Sequence, residues 1–196
     1  MALLLALLWA GGCERQPLIA PLEPQDKIVA FGDSLTWGTG APREASYPQT
    51  LASLLGIEVV NAGVPGELSA EGRRRLPGVL AEYRPALVIL CHGGNDMLRR
   101  RSLDKLAENL RVMIESCRNA GADVVLVGVP QLGFTLEPPP LYDKIAAEYD
   151  IPYADDILAD LLADRDFKSD TIHPNAAGYR RLARVLADLI VEAQSP

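Results

Sequence analysis

Five short apolar runs divide the chain from residue 27 onward. The first, 28–31, closes at Gly32, and the second, 57–60, at Asn61-Ala62-Gly63. The third, 87–90, leads into Gly93-Gly94, and the fourth, 124–129, stops at Pro130. A fifth, 151–154, is interrupted by Pro152. Continuous rather than alternating apolar character suits strands covered on both faces. The segments between the runs have helical spacing instead. Leu103, Leu106, Leu110, Met113, Ile114 and Cys117 share one face, with Ser102 as N-cap and Gly121 as stop. Tyr179, Leu182, Ala183, Leu186, Leu189 and Ile190 form a second stripe, with Pro174 expected in that helix's first turn. The stretch 67–84 is also helical, with a kink or restart expected at Pro77.

Alternation of strands and helices predicts an α/β fold. The expected architecture is a three-layer α/β/α sandwich, flavodoxin-like, with an about five-stranded parallel sheet and helices on both faces. A length of 196 residues is enough for one such domain with a sizeable core. No internal repeat and no second domain is evident. With 48% apolar residues the chain as a whole is not disordered, and a net charge of −7 argues against a nucleic-acid partner. The two basic clusters, Arg73-Arg74-Arg75 and Arg99-Arg100-Arg101, read as solvated surface.

The N-terminus changes the picture. Residues 2–10 are apolar, and Gly11-Gly12-Cys13 follows. The stretch is too short to span a bilayer but has the length of a secretory h-region. The expected organisation is a signal segment at 1–12, a Pro-containing tether at 13–26, and the folded domain at 27–196. Cys91 and Cys117 read as free buried thiols, and no spacing of cysteine or histidine implies a metal.

Candidate chemistry lies at the ends of the runs. In an open parallel sheet, ligands bind outside the carboxyl ends of the strands. The first strand ends in Gly32-Asp33-Ser34, the second in Asn61-Ala62-Gly63, and the third leads into Gly93-Gly94-Asn95-Asp96. Near the other end stands Asp170-Thr171-Ile172-His173. A serine hydroxyl becomes a nucleophile only when a base takes its proton, and a histidine with a carboxylate three residues before it is such a base. His92 is a rival base, but nothing at a suitable offset orients it. Asp33 reads as a carboxylate tying its own turn, and Asp96 as support for the Asn95 loop. The serine lacks the second glycine of the G-x-S-x-G elbow, which argues against an ordinary α/β-hydrolase.

Taken together, FGDSL around Ser34, NAG ending at Gly63, GGND around Asn95 and DTIHP around His173 resemble the SGNH (GDSL) hydrolase family. The resemblance runs from Lys27 to about Ile190 and is closest to the bacterial lysophospholipase, thioesterase I and arylesterase group. It implies Ser34 as nucleophile, His173 as general base and Asp170 as the group orienting the imidazole. It also implies an oxyanion hole of the Ser34 N–H, the Gly63 N–H and the Asn95 amide. No cofactor is expected. A cysteine after Ala10-Gly11-Gly12 likewise resembles a bacterial lipobox, implying cleavage before Cys13, lipidation there, and an exported, envelope-anchored protein.

The loops after the strands are apolar. Leu35, Leu68, Leu132 and Phe134 are the expected substrate contacts, pointing to a small ester or lipid with a hydrophobic acyl chain. Three other readings stand beside this one: a lipid-anchored carbohydrate O-acetylesterase, a lipid-binding lipoprotein without turnover, and a flavodoxin-like phosphate module. The last would need a phosphate loop after strand one, where Asp33 is repulsive.

Overall fold

A computed structural model describes residues 18–133 and 136–194. The strands are β1 (Lys27–Gly32), β2 (Glu58–Gly63), β3 (Leu87–Cys91), β4 (Asp123–Val127) and β5 (Tyr153–Ala154). The helices are α1 (Ser34–Trp37), α2 (Tyr47–Leu55), α3 (Ser69–Tyr83), α4 (Gly94–Leu98), α5 (Leu103–Asn119), α6 (Leu141–Tyr149), α7 (Ile157–Ala163) and α8 (Ala176–Ala193). All five strands pair in parallel, in the order β2-β1-β3-β4-β5. That is the flavodoxin-like order expected from the alternation.

The order explains the site's location. The chain leaves β1 toward β2 on one side, then returns over β1 to reach β3 on the other. Right-handed crossovers put the intervening helices on opposite faces. α2 packs on α8, while α3 packs on α5 and α5 on α6. The carboxyl ends of β1 and β3 flank the point where strand order reverses, so a crevice opens there.

β1, β3 and β4 are buried along nearly their whole length. Ile28, Ile89, Leu90, Leu106 and Leu110 have no exposed surface, and each such side chain contributes roughly 1.5–3 kcal/mol of transfer free energy. Ser102 caps α5 by accepting from the Lys105 N–H at 3.4 Å. Cys91 and Cys117 are free and buried.

Three expectations meet a different outcome. α3 continues through Pro77 without a restart, with Pro77 on its exposed side. Pro174 precedes α8 instead of entering its first turn. Asn175 is the cap, its Oδ1 accepting from Ala177 and Gly178 at 2.9 and 3.1 Å. The described part of the tether segment, 18–26, lies against the domain. Ile19 is buried and its N–H donates to Ala193 O, while the Ala20 N–H donates to Asp123 Oδ2. The signal segment and Cys13 lie outside the described residues. No described helix is long and apolar enough to cross a membrane.

Candidate active site

Asp33 is the N-cap of α1, accepting the Leu35 N–H at 3.0 Å, so Ser34 is the first helical residue. A first-turn N–H has no acceptor inside its own helix, which leaves that of Ser34 free to face a ligand. The Ser34 Oγ lies 3.0 Å from His173 Nε2, and His173 Nδ1 lies 2.8 Å from Asp170 Oδ2. The other Asp170 oxygen accepts the Ile172 and His173 N–H groups, each at 2.8 Å. One carboxylate thus fixes both the backbone and the ring of His173. Partial burial raises the Asp170 pKa, but the hydrogen bonds from the His173 ring and these N–H groups outweigh it and hold it below the usual value. With Asp170 ionised, the imidazole presents Nδ1–H to it and a bare Nε2 to the serine hydroxyl.

Asn95 reaches the same crevice from α4. Its Nδ2 donates to Asp33 Oδ2 at 3.0 Å and to the Glu67 carbonyl at 3.1 Å. Asp33 is fully buried. Burial raises its pKa, against the opposing pull of His92, the Leu35 N–H, Asn95 and His173. It does what its position suggested, tying the serine's turn, and it also holds Asn95. Asp96 supports the Asn95 loop by accepting the Ser69 N–H at 2.8 Å and the Ser69 hydroxyl at 2.7 Å.

Gly63 sits differently from its expected role. Its N–H donates to Asn61 Oδ1 at 3.0 Å and is not available to a substrate. A Cβ at Gly63 would collide with the backbone of Trp37, so this glycine is needed for packing β2 against α1. The glycine that precedes Glu67, whose carbonyl Asn95 meets, is Gly66. It occupies a Pro65-Gly66 turn closed by the Glu67 N–H to Val64 O at 3.1 Å, with φ at +80°. Only glycine takes that conformation without strain. Its N–H meets no acceptor among the described residues. The Pro-Gly pair was visible as a turn signal, but nothing local distinguishes it from the NAG turn three residues earlier.

The model of the GDSL-like Lipase/Acylhydrolase family matches residues 30–181. The chain belongs to that family. Esterase TesA of Pseudomonas aeruginosa is 36% identical over 124 residues, 61% of this chain and 62% of that protein. Thioesterase 1/protease 1/lysophospholipase L1 of Escherichia coli K12 is 29% identical over 158 residues, 76% of each chain. The crystal structure of TesA superposes with a TM-score of 0.74 at 29% identity, covering 85% of this chain and 99% of that one. The SGNH (GDSL) resemblance, the parallel α/β fold and a carboxylic ester hydrolase activity therefore hold at the level of the family.

In this family member a cavity of about 280 Å³ opens beside Ser34, Asn95 and His173. Leu35 and Leu132 line it as expected, together with Met97, Leu98, Val129, Leu162 and Ile172. Leu68 does not line it. It is the N-cap position before α3, and its N–H is taken by Glu71 Oε2 at 2.8 Å. Phe134 lies outside the described residues. Arg100, exposed at the end of α4, is on the cavity lining.

His92 is not a rival base. It is fully buried, and its Nε2 lies 3.1 Å from Glu67 Oε2. The Arg73-Arg74-Arg75 cluster is not uniformly solvated either. Arg75 donates to both Glu67 oxygens at 2.7 Å and to Ala62 O at 3.0 Å. Among the described residues no cluster of His, Cys, Asp and Glu is placed to hold a metal ion.

Proposed function

We propose that this protein hydrolyses esters or thioesters of hydrophobic acyl chains through an acyl-Ser34 intermediate. The observation that carries the reading is the unbroken hydrogen-bonded chain Ser34–His173–Asp170 opening onto a cavity of mixed lining that includes Leu35, Met97, Leu132, Leu162 and Ile172. Its relatives' names, an esterase and a thioesterase/lysophospholipase, support the same class.

The steps follow from the geometry. Ser34 Oγ attacks the acyl carbon as its proton passes to His173 Nε2. Asp170 stabilises the imidazolium that forms. The oxyanion is received by the Ser34 N–H, the Gly66 N–H and the Asn95 amide, with Gly66 replacing Gly63 in this role. Asn95 keeps its bond to Asp33 and shares its other amide hydrogen between the Glu67 carbonyl and the oxyanion as charge develops. The imidazolium then protonates the leaving alkoxide or thiolate. Water enters, His173 takes its proton as its oxygen attacks the acyl carbon, and collapse of the second tetrahedral intermediate returns that proton to Ser34 Oγ as the acid leaves.

The acyl chain lies along Leu35, Met97, Leu132 and Ile172. A methylene moved from water into such surroundings is favoured by about 0.8 kcal/mol. A series of p-nitrophenyl esters from acetyl to dodecanoyl tests this. kcat/KM is expected to rise over the first several carbons. A maximum at acetyl would overturn the acyl-chain reading in favour of an O-acetylesterase.

We also propose that the chain is exported and anchored through a lipid on Cys13, on the strength of the apolar segment and the following Gly-Gly-Cys. Mass spectrometry of the membrane fraction is expected to find an N-terminal peptide beginning at a diacylglyceryl cysteine. An unmodified Cys13 there would refute the anchor.

A further inference from the structure

Apart from the reacting groups, the most heavily engaged polar cluster among the described residues surrounds Glu67. This residue directly follows Gly66, and its carbonyl receives the Asn95 amide. Its carboxylate is 6% exposed and is gripped from two sides. Arg75 from α3 closes a two-point fork on it, both bonds at 2.7 Å. His92, from the end of β3, meets the same Oε2 at 3.1 Å.

The cluster is itself tightly seated. The Arg75 guanidinium lies over the Phe31 ring at 4.2 Å, and its Nη2 holds the last turn of β2 through Ala62 O. A Cβ on Gly72 would run into His92 Nε2, so α3 is bare where it meets the imidazole. Tyr142 clamps the His92 carbonyl at 2.8 Å. His92 Nδ1 has no hydrogen-bond partner. With Nε2–H donated to Glu67, Nδ1 carries only a lone pair, a smaller penalty than an orphaned buried N–H. The imidazole is therefore spent on orienting Glu67. Burial works against the carboxylate, but the bonds from Arg75 and His92 outweigh it and bring its pKa down to about 2.

This arrangement has no part in proton transfer, since neither His92 nor Arg75 contacts Ser34 or His173. Its effect falls on the turn. The Gly66 carbonyl is held by Arg99 at 3.1 Å, and Ser69 is held by Asp96. Between these points the Glu67 N–H bonds Val64 O at 3.1 Å, its carbonyl receives Asn95, and the Leu68 N–H bonds Glu71 Oε2; the fork adds the hold on the Glu67 side chain that anchors this turn to α3.

We propose that Arg75, Glu67 and His92 form a positioning frame for the oxyanion site, setting the Gly66–Glu67 turn and, through the Glu67 carbonyl, the Asn95 amide. Arg75 has a second effect. It cancels a buried carboxylate one residue from the donors, which would otherwise oppose the negative charge they must receive. The frame rests on the oxyanion assignment above. Oxyanion donors act by being held in place before charge develops, so their supports influence kcat more than substrate affinity.

The test uses the full chain with Arg75→Lys, Arg75→Met and Glu67→Gln, and Asn95→Ala in parallel. Five quantities are read: kcat and KM on one p-nitrophenyl ester, inhibition by a trifluoromethyl ketone, binding of a non-hydrolysable ether analogue, and the thermal midpoint. Groups that orient a site's direct contacts typically matter by about 10- to 100-fold, and kcat is expected to fall in that range for Arg75→Met and Glu67→Gln. KM and ether binding should stay near the parent values. Ketone affinity, which requires the oxyanion donors, should fall in proportion to kcat/KM. Arg75→Lys keeps the charge but not the fork, and should recover part of the loss.

A variant with a lowered thermal midpoint but parental kcat/KM would overturn the frame and leave a purely structural cluster. Parallel weakening of ether and ketone would do the same. Should Glu67→Gln fail to fold, the Lys and Met pair at position 75 carries the comparison. If Asn95→Ala also leaves kcat and ketone binding at parental values, the oxyanion assignment fails. If Asn95→Ala is impaired and the other variants are not, only the frame fails.

Discussion

Ser34→Ala is expected to lower kcat by a factor on the order of 10⁶, as loss of a nucleophile does in other serine hydrolases. The fold should be nearly untouched. Among the described residues the side-chain hydrogen bond of Ser34 is to His173 Nε2, a contact worth roughly 1 kcal/mol. Its backbone N–H, and with it one proposed oxyanion donor, survives the substitution. A fluorophosphonate probe should label the parent on the peptide containing Ser34 and leave the variant unlabelled at an unchanged thermal midpoint. Parental turnover in the variant, or a label on another residue, would falsify the nucleophile assignment.

Asn95→Ala is the second large effect. Removing one preorganised oxyanion donor typically costs about 10²–10³ in kcat. Two acceptors also lose their partner, Asp33 Oδ2 and the Glu67 carbonyl. Because Asp33 is fully buried, some loss of stability should accompany the kinetic effect, on the order of 1–3 kcal/mol for an unsatisfied group. The two effects separate by temperature. Well below the lowered thermal midpoint the kcat loss should persist, with KM little altered. Recovery of parental kcat on cooling would mean that Asn95 is a structural residue and not a donor. Asn95→Asp should be worse than alanine, since it sets a second carboxylate against Asp33 and against the oxyanion.

The parallel sheet was readable because its strands are covered on both faces. The runs at 28–31 and 87–90 need apolar residues at every position, and they emerge as β1 and β3 with a residue or two added. The 124–129 run overshoots the end of β4 by two residues. Gly128 still pairs its N–H with Ala154 O at 2.8 Å, but as loop and not as strand. Asp170 and His173 were readable for another reason: the carboxylate and the ring are three residues apart and meet within one turn of chain.

The site's remaining parts were hidden because their meaning is long-range. Gly63 and Gly66 are equally good turn glycines, and only the approach of Trp37 to one and of Asn95 to the carbonyl that follows the other tells them apart. Glu67, Arg75 and His92 come from a loop, a helix and a strand end. Arg75 in particular sits inside a run of three arginines that looks like surface. The fork it makes depends on α3 lying over Phe31, which no local pattern encodes.

The carboxylate and imidazole of the relay share one short loop, whereas the serine belongs to the first turn after β1, 139 residues away. Asp170 grips His173 by ring and backbone together, so the two move as one body. The Ser169 N–H to His173 O bond at 2.9 Å closes that loop on itself, and the cap at Asn175 joins it to α8. Any loosening of the loop would therefore lengthen the Ser34–His173 bond before disturbing the dyad. Heat or mild denaturant should idle such an enzyme while its sheet, its core and its acid–base couple are still whole, with activity returning once the loop reseats.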